Sequence, residues 1–79
     1  MAKFFLHLRG RSADVIDDEG IAISDLAEAR ETAIRCARDL MATDVREGFL
    51  ALSHRIEVCD ESGAVVLTVP FEDAITIER

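Results

Sequence analysis

The chain has 79 residues, with 9 basic and 16 acidic side chains and a formal net charge of -7. This length suits one domain, spanning residues 1–79, and a domain this small buries only ~60% of its unfolded surface. The negative charge disfavours nucleic-acid binding, which depends on basic side chains that neutralise phosphates. No apolar run approaches the ~18 residues of a membrane span, and the apolar start is too short for a signal peptide. We therefore expect a cytoplasmic protein with no nucleic-acid or membrane partner.

The first predicted element is a β-strand at residues 3–9, where side chains alternate between two faces. One face carries the apolar residues Phe4, Leu6 and Leu8. The other face carries Phe5, His7 and Arg9. A turn around Gly10 and the apolar residues that follow predict a short returning strand at residues 13–16. A second turn, at residues 17–20, then leads through an extended stretch at residues 21–23.

The stretch from Asp25 to Glu47 contains no proline or glycine and predicts one long helix at about residues 25–47. Apolar residues recur along it at three- and four-residue steps, which places them on one side of a helix. They are Leu26, Ala29, Ala33, Cys36, Ala37, Leu40 and Met41. Ser24 or Asp25 can cap the first turn, and Asp25 and Glu28 have the spacing of a capping box. Gly48 can adopt the left-handed conformation that ends a helix.

The second half of the chain predicts a hairpin. Residues 54–60 and 64–69 alternate as strands, and the turn at residues 60–63 ends in a glycine suited to a positive φ. Pro70 marks the end of the second strand because it has no N–H to donate. We expect the apolar residues between the helix and the hairpin to pack under the helix end, and the odd-numbered residues of the last strand to point inward. These are Phe49, Leu50 and Leu52, and then Val65, Leu67 and Val69, with Phe71 beyond the strand end on the same side.

The predicted order of elements is ββαββ, an α+β fold in which one helix packs on one face of a small antiparallel sheet. A single helix covers only one face of the sheet. The opposite face, here called the outer face, is the natural place for a homodimer contact or a protein partner. The alternation places on it Phe5, His7, Arg9, Arg55, Glu57, Cys59, Val66 and Thr68. All of these except Cys59 are our candidate interface residues.

The sequence contains no recognisable catalytic or cofactor-binding motif, so we expect a protein that is not an enzyme and needs no cofactor. His7 is the polar residue of most interest, because it lies on the outer face. A metal bound there would need further ligands, for which Glu57, Cys59 or His54 are the candidates. The two cysteines, Cys36 and Cys59, belong to no metal or redox motif, and a disulfide is disfavoured in a reducing compartment.

Several motifs occur together along the chain: the run FFLHLR at residues 4–9, Asp-Glu-Gly at residues 18–20, and Asp25-Leu26 with Ala29 and Ala33. The second half adds Ile-Glu-Val at residues 56–58 with Asp60 and Gly63, and Leu-Thr-Val-Pro-Phe at residues 67–71 before Asp73-Ala74. In combination they resemble a family of short bacterial domains of unknown function, common in alphaproteobacteria. The resemblance covers residues 3–74. It implies a compact bacterial domain with no assigned activity, and it places His7 in an aromatic-aromatic-x-His first strand.

A looser likeness is to the antitoxin partners of small RNA-cleaving toxins. These proteins begin with a hairpin and a helix that opens in a Glu-Ala pair, which Glu28-Ala29 resembles. The acidic stretch at residues 14–31, which has Arg30 as its one basic residue, would then face a basic toxin. Three hypotheses therefore stay open: self-association or protein binding through the outer face, an antitoxin-like module, and a small metal-binding protein or enzyme that uses His7.

Overall fold

The computed structural model describes residues 2–10 and 14–78. These residues form β1 (Ala2–Arg9), β2 (Ile21–Ile23), α1 (Leu26–Arg46), β3 (Arg55–Cys59) and β4 (Val65–Pro70), followed by a 3₁₀ turn at Phe71–Asp73. The strands form an antiparallel sheet in the order β2-β1-β3-β4. Helix α1 packs on one face of this sheet. The predicted α+β fold with the element order ββαββ is confirmed.

The core lies between the sheet and a buried stripe of α1 at four-residue spacing, formed by Ala29, Ala33, Ala37 and Met41. Because three of these four side chains end at Cβ, the helix backbone can lie close to the sheet. The stripe packs against larger side chains, which are Phe4, Ile23, Ile56, Val58, Val69 and Phe71. Leu6 and Leu8 lie on the same side of the sheet and are partly buried against the core, as the alternation predicted.

The buried side of the helix is narrower than its apolar pattern predicted. Cys36 and Leu40 are only half-buried, on the flank of the stripe, and Leu26 is 46% exposed. Residues four apart on a helix remain on one narrow stripe, whereas residues at three-residue steps move toward its flanks. A sheet of four short strands fills the space under one stripe and leaves the flanks to solvent.

Both predicted helix ends are confirmed. At the start, the Asp25 carboxylate accepts the N–H of Glu28 at 2.8 Å, which satisfies one of the free donors of the first turn. At the end, Gly48 has φ of +82°. Its N–H donates to the carbonyl of Val45, and the N–H of Phe49 donates to that of Asp44, both at 2.9 Å. This pair of bonds is the Schellman arrangement that closes a helix through a left-handed residue.

We expect Gly48→Ala to lower the free energy of unfolding by about 1–2 kcal/mol, the cost of holding an L-residue in the left-handed conformation. Among the described residues other than its two chain neighbours, no heavy atom lies within 4 Å of the Cβ that alanine would add, so the loss would be purely conformational. Urea unfolding followed by circular dichroism measures it. Gly48→Asn is the control and should lose less, because asparagine tolerates this conformation. Equal stability of the alanine variant and the wild type would contradict the assignment.

The predicted returning strand at residues 13–16 is wrong in extent. Ala13 lies outside the described residues, and Val15 forms only an isolated bridge, exchanging two backbone hydrogen bonds of 2.9 Å with Leu8. The strand that pairs with β1 is instead β2, opposite residues 2–4. The cause is Asp17, whose side chain occupies the edge of β1 between Val15 and β2.

The prediction that Val65 points inward is also wrong. Val58 pairs with Leu67, but Cys59 pairs with Val65, so the register shifts by one residue and Val66 is the extra residue of a β-bulge. A one-residue shift moves a side chain to the opposite face of a sheet. Val65 therefore lies on the face of Cys59 and is 53% exposed.

The segment after the helix packs differently from the prediction. Phe49 and Leu50 are 52% and 44% exposed, whereas Ala51 is buried and Leu52 packs against the core. Phe49 is the residue whose N–H closes the turn at the helix end. Its side chain is therefore set by the geometry of the turn and stays largely exposed instead of packing under the helix end.

Candidate association surface

The outer face is built from three rows of side chains that cross β1, β3 and β4. The register pairs Phe5 with Cys59, His7 with Glu57 and Arg9 with Arg55. On β4 the same rows continue with Val65, Thr68 and Pro70. The structure thus brings together the side chains that the alternation assigned to this face, with Val66 next to them in the bulge. Their role as an interface stays a prediction.

One end of the outer face is charged. The Glu57 carboxylate lies between two guanidinium groups: Arg9 Nε is 3.1 Å from Oε1, and Arg55 Nη2 is 3.2 Å from Oε2. Arg9 is also 3.7 Å from Asp14. The Glu57 side chain is 18% exposed and Arg55 is 44% exposed. Two guanidinium groups against the carboxylates of Glu57 and Asp14 leave this part of the surface without the net negative charge that dominates the chain.

The other end of the outer face is apolar. Cys59 is buried and Phe5 half-buried, while Val65 and Val66 are 53% and 38% exposed. The ammonium group of Lys3 lies 5.7 Å from the centre of the Phe5 ring, within the range of a cation–π contact. Together with Phe5 and Cys59, which are less exposed, the two valines form an apolar patch that reaches the edge of the sheet.

Asp17 organises the edge of the sheet beside this face, a role that sequence reasoning missed. Its Oδ2 accepts the N–H of Leu6 at 3.1 Å, and its Oδ1 accepts those of Glu19 and Gly20 at 3.2 and 3.0 Å. The backbone N–H of Asp17 donates to His7 Nδ1 at 3.0 Å. The carboxylate thus replaces a strand partner between Val15 and β2. Its position three residues before a glycine is typical of an Asx turn and could have indicated the role.

The pKa of Asp17 lies below its ordinary value. Burial alone would raise it, but the backbone N–H groups of Gly20, Leu6 and Glu19, together with nearby His7, outweigh burial. A lowered pKa in the folded state means that the ionised carboxylate stabilises the fold above the unfolded pKa of about 3.9. This contribution is lost as the pH falls through the lower folded pKa.

We expect Asp17→Asn to lower the free energy of unfolding by about 1 kcal/mol near neutral pH, because hydrogen bonds to a charged acceptor are stronger than those to a neutral one. Asp18→Asn, a change at the exposed neighbouring acid, is the control and should have little effect. Urea unfolding at a series of pH values should show the gap between Asp17→Asn and the wild type narrowing below about pH 4. A gap that does not depend on pH would contradict the role of the charge.

The ligands that the sequence offered for a metal at His7 do not assemble into a metal site, although Glu57 lies opposite His7 on the neighbouring strand. His7 Nδ1 already accepts the N–H of Asp17, and the Glu57 carboxylate is held by two arginines. His54 is buried edge-on to the core residue Phe71, with ring centres 5.7 Å apart. Within residues 2–10 and 14–78, no group of three His, Cys, Asp or Glu residues could hold a metal ion.

His54 also depends on a close approach that the sequence did not reveal. A Cβ at Gly10 would lie 2.2 Å from His54 Cδ2, which is closer than any real contact. Glycine at position 10 is therefore required by the packing of the buried imidazole.

Both cysteines are free thiols. Burial, with Glu57 and Asp60, raises the pKa of Cys59 although Arg9 acts in the opposite direction. Burial, with Asp39 and Asp17, raises the pKa of Cys36. Because the thiolate is the nucleophilic form, these surroundings make each thiol a poor nucleophile at neutral pH.

The fold and this surface define a small two-layer α+β protein with one sheet face turned away from its helix. Residues 3–72 match the family described as "Domain of unknown function (DUF6894)". The match spans most of the chain, and the chain belongs to this family. No curated protein and no solved structure matches it. The predicted membership of a family of unknown function is confirmed, whereas the bacterial origin stays a prediction. In the part of the chain that the structure describes, no helix is long and apolar enough to cross a membrane.

Proposed function

We propose that this protein is a non-catalytic association domain of the bacterial cytoplasm, which pairs with a second copy through its outer face. The observation that supports this proposal is the combination of an apolar end and a charge-compensated end on one face. Phe5, Val65 and Val66 provide apolar area there, and the Arg9–Glu57–Arg55 group removes net negative charge. Two copies of a chain with net charge -7 repel each other least at such a face.

The size of the outer face determines the strength of this pairing. With strands about 4.8 Å apart and residues about 3.3 Å apart, the three longer strands offer a plane of roughly 14 by 20 Å. A stable interface buries about 800 Å² on each partner, more than a plane of this size supplies alone. The expected dimer is therefore weak and forms only at high protein concentration.

Two exposed valines provide a matched test. Val65, at 53% exposure, lies on the outer face, and Val45, at 56%, lies near the far end of α1. We expect the wild-type mass, measured by light scattering, to rise toward that of a dimer above about 100 μM. Val65→Asp should weaken the dimer at least tenfold, because the carboxylate would be buried against the partner. Val45→Asp should behave as the wild type. A wild type that stays monomeric, or two variants with the same effect, would exclude this surface.

A second candidate function is binding of a basic protein by the acidic stretch at residues 14–31. In this stretch Asp17 and Asp25 both accept hydrogen bonds that serve the fold. All of its acids except Asp17 are exposed: Asp14, Asp18, Glu19, Asp25, Glu28 and Glu31. Calorimetry with a small basic protein encoded beside this one would test it. Replacing Asp18 and Glu19 by lysine should abolish the heat of binding, and unchanged binding would exclude this surface.

A further inference from the structure

Strand β4 ends the sheet and has a free outer edge. The N–H of Phe71 donates to the carbonyl of His54 at 2.9 Å. Hydrogen-bonded and non-bonded pairs alternate along an antiparallel ladder. With the observed register, Val69 and Leu67 therefore bond to β3, and the N–H and C=O of Thr68 point away from it. Among the described residues, no backbone group bonds to this outer side of β4.

The other side of the sheet differs. There the outer edge of β1 is occupied by β2, by the Asp17 carboxylate and by Val15. An edge strand with unpaired N–H and C=O groups is a template for another strand. The opposite edge strand, β2, has only three residues, whereas β4 has six, so β4 is the longer of the two templates.

Two features limit this template to a short stretch. Pro70 has no N–H to offer, and the bulge at Val66 interrupts the ladder at the other end. An added strand can therefore pair around Thr68 but cannot extend into an open-ended sheet. Both features also fix the register, because a strand shifted along β4 would meet the proline or the bulge.

The charges around β4 indicate which strand fits. Residues 65–70 include no charged side chain, but acids stand at both ends: Asp60 and Glu61 before the strand, and Glu72 and Asp73 after it. A second copy paired antiparallel about Thr68 would bring the acids of one copy toward those of the other. A segment with lysine or arginine at each end would instead meet opposite charge at both ends.

We propose that the free edge of β4 binds an extended segment of a partner protein that has small or apolar residues in its middle and basic residues at both ends. The segment adds as a further strand, held by backbone hydrogen bonds to Thr68 and by the flanking acids. This binding is separate from the pairing of two copies, which uses side chains of the outer face.

The probe is a fluorescent peptide with the sequence Lys-Lys-Thr-Val-Thr-Val-Thr-Lys-Lys, and binding is read by fluorescence anisotropy. Two peptides serve as controls: one with glutamates in place of the lysines, and one with prolines in place of the valines, which keeps the charge but cannot form a strand. We expect both controls to bind at least tenfold more weakly. If the proline peptide binds equally well, charge alone explains the interaction and the proposal is wrong. The proposal is also wrong if the first peptide does not bind.

The matched protein variants are Thr68→Pro and Thr68→Val. The first removes an N–H that does not bond to β3, so the fold should survive while binding falls at least tenfold. The second keeps the N–H and should bind as the wild type. Amide exchange gives a readout that needs no variant: the Thr68 amide should exchange rapidly in the free protein and slowly with the peptide. If the Thr68 amide is already protected in the free protein, a second copy occupies the edge and the proposal is wrong. Unchanged binding by a folded Thr68→Pro variant would also overturn it.

Discussion

Replacing Phe71 by alanine should lower the free energy of unfolding by about 3–5 kcal/mol, the usual cost of removing a buried aromatic ring. Phe71 is 1% exposed and packs in the core between the sheet and α1. Its ring meets His54 edge-on, and its N–H bonds to the His54 carbonyl. Domains have a total stability of about 5–15 kcal/mol, and one of 79 residues is expected near the lower end. This variant should therefore be largely unfolded at 37 °C.

The control for this change is Phe49→Ala, which removes the same side chain from a site that is 52% exposed. Its loss should stay within about 0.5–1 kcal/mol, typical of a surface position. Urea unfolding followed by circular dichroism measures both variants. Similar losses at the two positions would contradict the placement of Phe71 in the core.

The second large effect is expected for Ala33→Leu. Ala33 is fully buried in the middle of the alanine stripe, where α1 lies against the sheet. A leucine there has no free volume and must push the helix away or adopt a strained rotamer, at a cost of about 1–3 kcal/mol or more. Ala42→Leu is the control, because Ala42 is exposed on the same helix and leucine is nearly as good a helix former as alanine.

Thermal unfolding of the two leucine variants compares them directly. Ala33→Leu should melt well below the wild type, and Ala42→Leu close to it. If both melt as the wild type does, α1 does not approach the sheet through its alanines, and the two-layer packing described above is wrong.

The features that the sequence predicted are those set by local rules. Asp25 and Gly48 mark the helix ends because capping depends on neighbours within one turn. Phe4 could be assigned to the core by alternation alone. In contrast, the inward placement of Val65 failed because a bulge between β3 and β4 depends on long-range pairing. Alternation within one strand carries no information about it.

The sequence predicted which side chains lie on the outer face, but not which groups they contact there. Alternation brought His7 and Glu57 to one face, and the register confirms that they are opposite each other. It did not reveal that Arg9 and Arg55 both bind the Glu57 carboxylate. Nor did it show that Asp17 would take the N–H of Leu6 and shorten the first hairpin. Each of these contacts joins segments whose side-chain directions are set only by the assembled sheet.

Pairing of two copies through the outer face should be visible in amide NMR spectra recorded on dilution from about 1 mM to about 20 μM, a range in which a weak dimer dissociates. We expect shifts that grow with concentration for Phe5, His7, Glu57 and Val65, while the amides of α1 stay constant. Spectra that do not change with concentration, or shifts confined to the helix and the segment around Phe49, would contradict it.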